Sequence, residues 1–329
     1  MRDLFKDYKI YDVNPAKLRS KDFYVNMLEY RKKVTKQFQH AIKKPKDFIC
    51  PLCGKKKGNE FLSSGNYQLF ECSNCKLVSP NIDPNFLGDE NVYDDKAYIK
   101  DTTREIVDTY EYRKKTFAPE RLDFILSQIK DIKKGKIKLL DVGCGPGYFI
   151  DYLKDQGIKY KGLELANFLV DICKKRGLNV EKAVFQNESN ESYNIITLFD
   201  VLEHLSDPIS VFKDLNKKLM PGGYVLAYTP NIHSLAYHLM GDKQNTLLPF
   251  QHFCFFDVDS LNYLAEKTGF KIHSVYYAGF DIMDYFFKKN FEDKYDYHKK
   301  LADFISIMQA IIDKQQLSNH IRVIFKKAD

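Results

Sequence analysis

The chain has 329 residues, 44% of them hydrophobic and 29% charged, an ordinary globular composition with room for one large domain or two modest ones. It holds no run of about 18 apolar residues that could span a membrane, and its opening, MRDLFKDYKI, lacks the apolar core of a signal peptide, so the cytoplasm is the expected compartment. The net charge of +7 is local: residues 1–49 carry 13 Lys/Arg against 6 Asp/Glu, while the remaining 280 carry 38 of each sign and offer no broad basic face to a nucleic acid.

In chain order, residues 15–44 read as a helix, with Asn14 as N-cap and Pro15 at the first helical position. Tyr24, Met27, Leu28, Val34, Phe38 and Ile42 follow the helical period, with Arg31, Lys32, Lys33 and Lys36 between them. This basic extension, residues 1–47, either grips an acidic partner or membrane surface, or packs its apolar stripe on the next module or a second subunit. Packing is the simpler expectation.

Residues 48–80 hold two C-x-x-C pairs, Cys50/Cys53 and Cys72/Cys75, separated by 18 residues. The spacing fits a four-thiolate zinc ribbon, in which each pair sits on a knuckle turn. Four ligands leave no open position, so the ion is expected to be structural. Cys144, Cys173 and Cys254 are scattered, and a total of seven argues against a disulfide framework.

Residues 81–118 read as a turn-rich acidic linker, 81–97, and then a helical connector, with a break expected near Pro119. Residues 119–329 form the expected main domain. From Ile137 short apolar runs alternate with helical patterns, the rhythm of a parallel α/β sheet. Strands are predicted at 137–142, 160–164, 194–198, 223–229, 271–276 and 320–326. Helices are predicted at 149–156, 167–175, 208–220 and 259–268, and a helical insertion at about 282–316 separates the last two strands.

The first of these strands runs into Asp141-Val142-Gly143-Cys144-Gly145-Pro146-Gly147. Glycines there let the backbone approach a ligand in conformations closed to other residues. The spacing is G-x-G-x-G, not the G-x-G-x-x-G of dinucleotide enzymes, and suits the amino-acid end of an adenosyl cofactor. Glu164 ends the second strand 23 positions after Asp141, where a carboxylate can accept hydrogen bonds from both ribose hydroxyls. A third element reads Phe199-Asp200-Val201-Leu202-Glu203-His204-Leu205-Ser206-Asp207-Pro208, and Pro221-Gly222-Gly223 follows.

Together D-V-G-C-G-x-G, G-x-E, V-L-E-H-x-x-D-P and P-G-G resemble class I methyltransferases that use S-adenosylmethionine, over roughly residues 120–280. The resemblance implies an α/β, Rossmann-like, seven-stranded sheet whose last strand enters antiparallel, with 320–326 as that strand. It also implies that Asp141, Gly143, Cys144 and Gly145 line the cofactor and that Glu164, beside Leu165, holds the ribose. Phe199 would flank the methionine end. Val184 and Phe185 would meet the adenine, although the acid usual in that loop is not obvious here.

A ribbon just upstream makes the layout similar to bacterial sugar methyltransferases, which act on carbon, oxygen or nitrogen and in which the metal module helps form the substrate cleft. Transfer to a hydroxyl, an ammonium or an activated carbon needs a base, and histidine suits that role near neutral pH. The segment 249–257 resembles the E-H-x-x-x-F-S segment of those enzymes, which makes His252 the first candidate base; Gln251 stands in place of the usual glutamate. His204 of the E-H motif is the second candidate, and His233 ranks below both.

The expected function is methyl transfer from S-adenosylmethionine to a small molecule, a saccharide or nucleotide-linked sugar of surface-glycan biosynthesis. Two readings stay open beside it. One is an RNA methyltransferase that uses the ribbon and basic arm; the neutral main domain and the lack of an Asn/Asp-Pro-Pro-aromatic motif after Leu198 weigh against it. The other is a non-catalytic, partner-binding protein on the same fold. A homo-oligomer is compatible with either reading.

Overall fold

The computed structural model describes residues 13–20, 22–83, 99–100 and 103–328. Its cysteine module is a three-stranded antiparallel sheet of β1 (Gly58–Ser64), β2 (Tyr67–Cys72) and β3 (Val78–Pro80). The main sheet has seven strands: β4 (Lys138–Val142), β5 (Lys159–Leu163), β6 (Val180–Glu181), β7 (Tyr193–Phe199), β8 (Leu219–Pro230), β9 (Phe270–Tyr277) and β10 (His320–Lys327). They lie in the order β6-β5-β4-β7-β8-β10-β9, parallel from β6 to β8, with β10 antiparallel to both β8 and β9. This is the α/β sheet expected, antiparallel last strand included. The two-residue β6 had no apolar run to announce it.

Both faces of the sheet are covered, and the period of two sorts the side chains. Leu139, Ile195 and Ile324 point into one core, while Leu140, Ile196, Val323 and Phe325 point into the other. On the first face pack α2 (Tyr110–Gln128, following the arm helix α1, Phe23–Gln37), α3 (Tyr148–Asp155) and α4 (Asn167–Lys175). The second face takes α5 (Pro208–Lys218), α6 (Val258–Thr268) and the cysteine module. Helix α5 starts where the residues dictate, with Asp207 accepting from Ser210 N–H and Pro208 at the first position. Helices α7 (Asp281–Asp293) and α8 (Ala302–Lys314) form the insertion between β9 and β10.

Two expectations need correction. The helix predicted over 15–44 is interrupted: a short turn at Pro15–Leu18 precedes α1, and a 3-10 turn at Gln39–Ala41 follows it. The chain bends between them, where Arg19 pairs with Asp284 at 2.9 Å and Ser20 donates to Glu105 at 3.1 Å. Second, Pro119 does not break α2, so the boundary drawn at 118/119 falls inside one helix. Burial of Ala118, Leu122 and Ile125 outweighs an interior proline's cost of about 3 kcal/mol. In the cysteine module, Phe48, Tyr67, Leu69 and Val78 share one cluster with Phe212, Leu261 and Phe255 of the main domain. Of the expected acidic linker, residues 84–97 lie outside those described.

The arm packs, as the simpler reading expected. Leu18, Tyr24 and Met27 join Met240, Met283, Phe286 and Ile305, and Val34 and Ala41 join the ribbon core. Arg31, only 7% exposed, donates to the carbonyls of Asp242, at 2.9 Å, and Gln244. Lys32, Lys33 and Lys36 stay exposed. No helix among the described residues is long and apolar enough to cross a membrane.

Candidate active site

Neighbours β4 and β7 lead in opposite directions across the sheet, so the carboxyl ends of these strands face a crevice suited to a ligand. The glycine loop leaves β4 there, and Gly143 and Cys144 both donate their N–H to the Leu163 carbonyl, at 2.8 and 3.0 Å. Gly143 sits at φ +69°, where a β-carbon would strike Val201 Cγ2 at 2.6 Å. Gly145, at φ +59°, has open space instead, so the backbone itself forms the surface a ligand would touch.

Glu164 is 8% exposed and already accepts three backbone N–H bonds: Leu165 and Ala166 on Oε1, at 2.7 and 2.9 Å, and Gly145 on Oε2 at 2.9 Å. Burial raises its pKa, opposed by these bonds. A carboxylate has about four acceptor positions, so one remains. Asp141 is buried beneath the loop, accepts from Thr197 Oγ1 at 2.7 Å, and is pushed up to about 7 by burial.

These groups surround a cavity of about 680 Å³. All eleven residues predicted for cofactor and catalysis line it: Asp141, Gly143, Cys144, Gly145, Glu164, Leu165, Val184, Phe185, Phe199, His204 and His252. His233 is not among its walls and lies instead 3.7 Å from Asp257.

The two cavity histidines are held alike. His252 Nδ1 lies 2.7 Å from the Thr246 carbonyl and His204 Nδ1 lies 2.9 Å from that of Gln251. A carbonyl can only accept, so each Nδ1 carries the proton and each Nε2 is left as an acceptor. Burial, reinforced by the neighbouring His204, holds His252 well below the usual imidazole pKa. His204 is lowered by burial too. Glu203, 1% exposed, accepts from Thr229 Oγ1 and stands 4.0 Å from His252 Nε2. Burial, with Asp200 nearby, pushes its carboxyl well up. Burial thus disfavours the charged form of both the imidazole and the acid.

Several site residues were not singled out in the sequence. Arg121 of α2 stacks 4.0 Å over Phe199 and 5.1 Å over Tyr148, presenting its guanidinium to the loop end of the cavity. It reads in sequence as the polar side of a helix, and only packing brings it here. Asp200 follows Phe199 at a left-handed φ of +57°. Its side chain is about half exposed, and although desolvation raises its carboxyl, the His320 contact and the Arg121 guanidinium bring it down to about 2. Phe23, Met27 and Tyr30 of α1 form a further wall, with Tyr30 Oη bonded to the Gln251 amide.

On the second face of the sheet, Cys50 and Cys75 bring their sulfurs within 3.5 Å, and Cys53 and Cys72 within 3.4 Å. All four lie within 4.8 Å of one another. Thiolates around a tetrahedral ion at 2.3 Å stand roughly 3.8 Å apart, so the set fits a four-coordinate metal.

The chain matches the family described as "Methyltransferase domain" over residues 110–275. It is 31% identical over 137 residues to a protein named ubiquinone biosynthesis O-methyltransferase from Aliivibrio fischeri (strain MJ11). That match spans 38% of this chain and 58% of the relative's length. A protein of the same name from Hydrogenovibrio crunogenus is 28% identical over 199 residues, 56% of this chain and 80% of that one. Among solved structures, a SAM-dependent methyltransferase from Archaeoglobus fulgidus aligns with a TM-score of 0.45 at 19% identity, covering 63% of this chain and 94% of that one.

Proposed function

Since the chain belongs to the methyltransferase-domain family, we propose that it is an S-adenosylmethionine-dependent methyltransferase acting on a small molecule. The observation that carries this reading is the shared cavity: glycine loop, Glu164, Phe199 and two histidines open on one space. The loop takes the methionine end, with Arg121 opposite its carboxylate. Glu164 takes the ribose; with one acceptor position left, holding both hydroxyls requires one of its backbone bonds to lengthen. Val184 and Phe185 flank the adenine.

Oxygen is the proposed acceptor atom, in keeping with the names of the relatives. The hydroxyl oxygen attacks the sulfonium methyl, the C–S bond breaks as C–O forms, and the hydroxyl proton passes to His252 Nε2. The products are S-adenosylhomocysteine, a methyl ether and an imidazolium, which then releases its proton. Positioning within the cavity contributes much of the acceleration.

The ion in the cysteine module is proposed to be zinc, in a structural role. The finer substrate reading, a saccharide or nucleotide-linked sugar of surface-glycan biosynthesis, is supported by the resemblance of segment 249–257 and by the ribbon packed against it. Calorimetric titration with S-adenosylhomocysteine, on protein of assayed zinc content, tests the central claim. Micromolar binding is expected. No binding by folded, metal-loaded protein would refute it.

A further inference from the structure

The polarity of α8 is inverted. Its buried face carries Gln309 and Asp313 beside Ile305, while its outer face carries Phe304, Ile307 and Ile311, which are 57%, 46% and 45% exposed. A surface helix ordinarily turns its apolar stripe to the core and its polar residues to water. Here the polar side is what holds the helix. Gln309 Nε2 donates to Asp281 at 3.0 Å and to Asp313 at 2.8 Å, and Ser318 Oγ also bonds Asp313. These buried bonds fix the orientation of α8 and keep the stripe outward.

Single exposed hydrophobic side chains are normal on a protein surface, but these three are gathered. Among the described residues they are three of the ten exposed large hydrophobics, and they fall within two turns of one helix. Their spacing of three and then four residues is that of a heptad seam, the pattern that packs against another helix.

The charges around the seam select that helix. Asp303 stands before it and Lys314 after it, both exposed. Two copies of α8 packed antiparallel about a twofold axis set Ile307 of each against Ile311 of the other. The same register brings Lys314 of each copy to Asp303 and Phe304 of the other, its stem on the ring and its ammonium by the carboxylate. Both ends of the seam are then matched at once. An anionic lipid surface fits less well, because helices that lie on membranes are rich in Lys and Arg. Over residues 290–316 four exposed carboxylates balance four exposed lysines.

We propose that the outer face of α8 docks a second copy of this chain, in a twofold dimer centred on the Ile307–Ile311 seam. A seam of two turns suits a reversible dimer with a micromolar dissociation constant. Ile307 and Ile311 line no wall of the main cavity, so the proposal stands apart from the methyl-transfer reading.

Sedimentation velocity of the full, metal-loaded chain over about 1–200 μM tests it. The expected result is a shift from monomer to dimer within that range. Ile307→Glu should raise the dissociation constant at least about tenfold with an unchanged circular dichroism spectrum. Asp303→Lys should weaken the dimer, and adding Lys314→Asp to it should restore the dimer, which a non-specific apolar contact does not do. A monomer at every concentration, a dimer that survives Ile307→Glu, or a double variant no tighter than Asp303→Lys would overturn the proposal. So would a monomer that sediments with phosphatidylglycerol vesicles and loses that binding in Ile307→Glu, since the stripe would then be a membrane contact.

Discussion

Val78 and Phe255 exchange two backbone hydrogen bonds, of 3.1 and 2.9 Å, and so tie the cysteine module to the segment that carries His252. Phe253 and Cys254 in turn donate to the Glu203 carbonyl, at 2.7 and 3.1 Å. The segment is thus clamped between the module and the E-H motif. Cys144, Tyr148 and Phe149, beside the glycine loop, belong to a separate core.

Removing the metal should therefore damage the two ends of the cavity unequally. Chelation, or Cys72→Ser, is expected to release one equivalent of zinc and to raise hydrogen exchange at residues 250–256. Turnover should fall at least about tenfold, while cofactor affinity changes far less, because the loop rests on the other core. Equal loss of both, or stoichiometric zinc in the variant, would contradict this division.

Glu164→Ala should weaken binding of S-adenosylhomocysteine by about 1–3 kcal/mol. The residue organises the loop through Gly145 as well as facing the ribose, so the variant loses both contributions. Glu164→Gln should lose less, since its amide oxygen still accepts from two N–H groups. Unchanged affinity in the alanine variant would reject the assignment.

Where the chemistry depends on neighbours in sequence, the residues are readable in advance. The glycine loop, Glu164 and the E-H motif each lie in a short stretch of chain and line one cavity, and the paired cysteines converge within 4.8 Å. Contributions made through packing were hidden. Arg121 sits on a helix whose stripe looks like any other, and Tyr30 lies more than two hundred residues from the Gln251 it bonds. β6 is too short to leave a pattern. Pro119 shows the converse: a strong local signal is overruled by the buried side chains around it.

The buried Asp141 predicts a pH slope in the cofactor-free protein. Its carboxyl is raised to about 7, against about 3.9 in an unfolded chain. Between those values the native state binds more protons, so its contribution to stability is full below about pH 4, declines as pH rises to about 7, and then stays level. Asp141→Asn should remove that slope and be the more stable protein at pH 8, by about 1–3 kcal/mol. Scanning calorimetry at pH 5 and pH 8 reads the difference. A variant effect of the same size at both values would mean that Asp141 ionises normally.

His252 predicts the opposite slope and a displaced activity limb. An imidazole whose folded pKa lies below its unfolded value holds fewer protons when native, so its contribution to stability is full above about 6.5 and is lost as pH falls toward the folded value. The same shift keeps Nε2 available as an acceptor below the usual imidazole value, so the acid limb of kcat/KM should fall below 6.5. His252→Ala should lower kcat by about 10²–10⁴, with cofactor affinity within about threefold and partial rescue by added imidazole. His204→Ala removes one cause of that depression, so it should move the limb up toward the usual imidazole value without abolishing it. A limb near 7 that survives in His252→Ala, without rescue, would remove His252 as the base and turn attention to His204 or His320. The outcomes differ because only loss of the base itself removes the limb, whereas loss of the neighbouring histidine shifts the pH at which it falls.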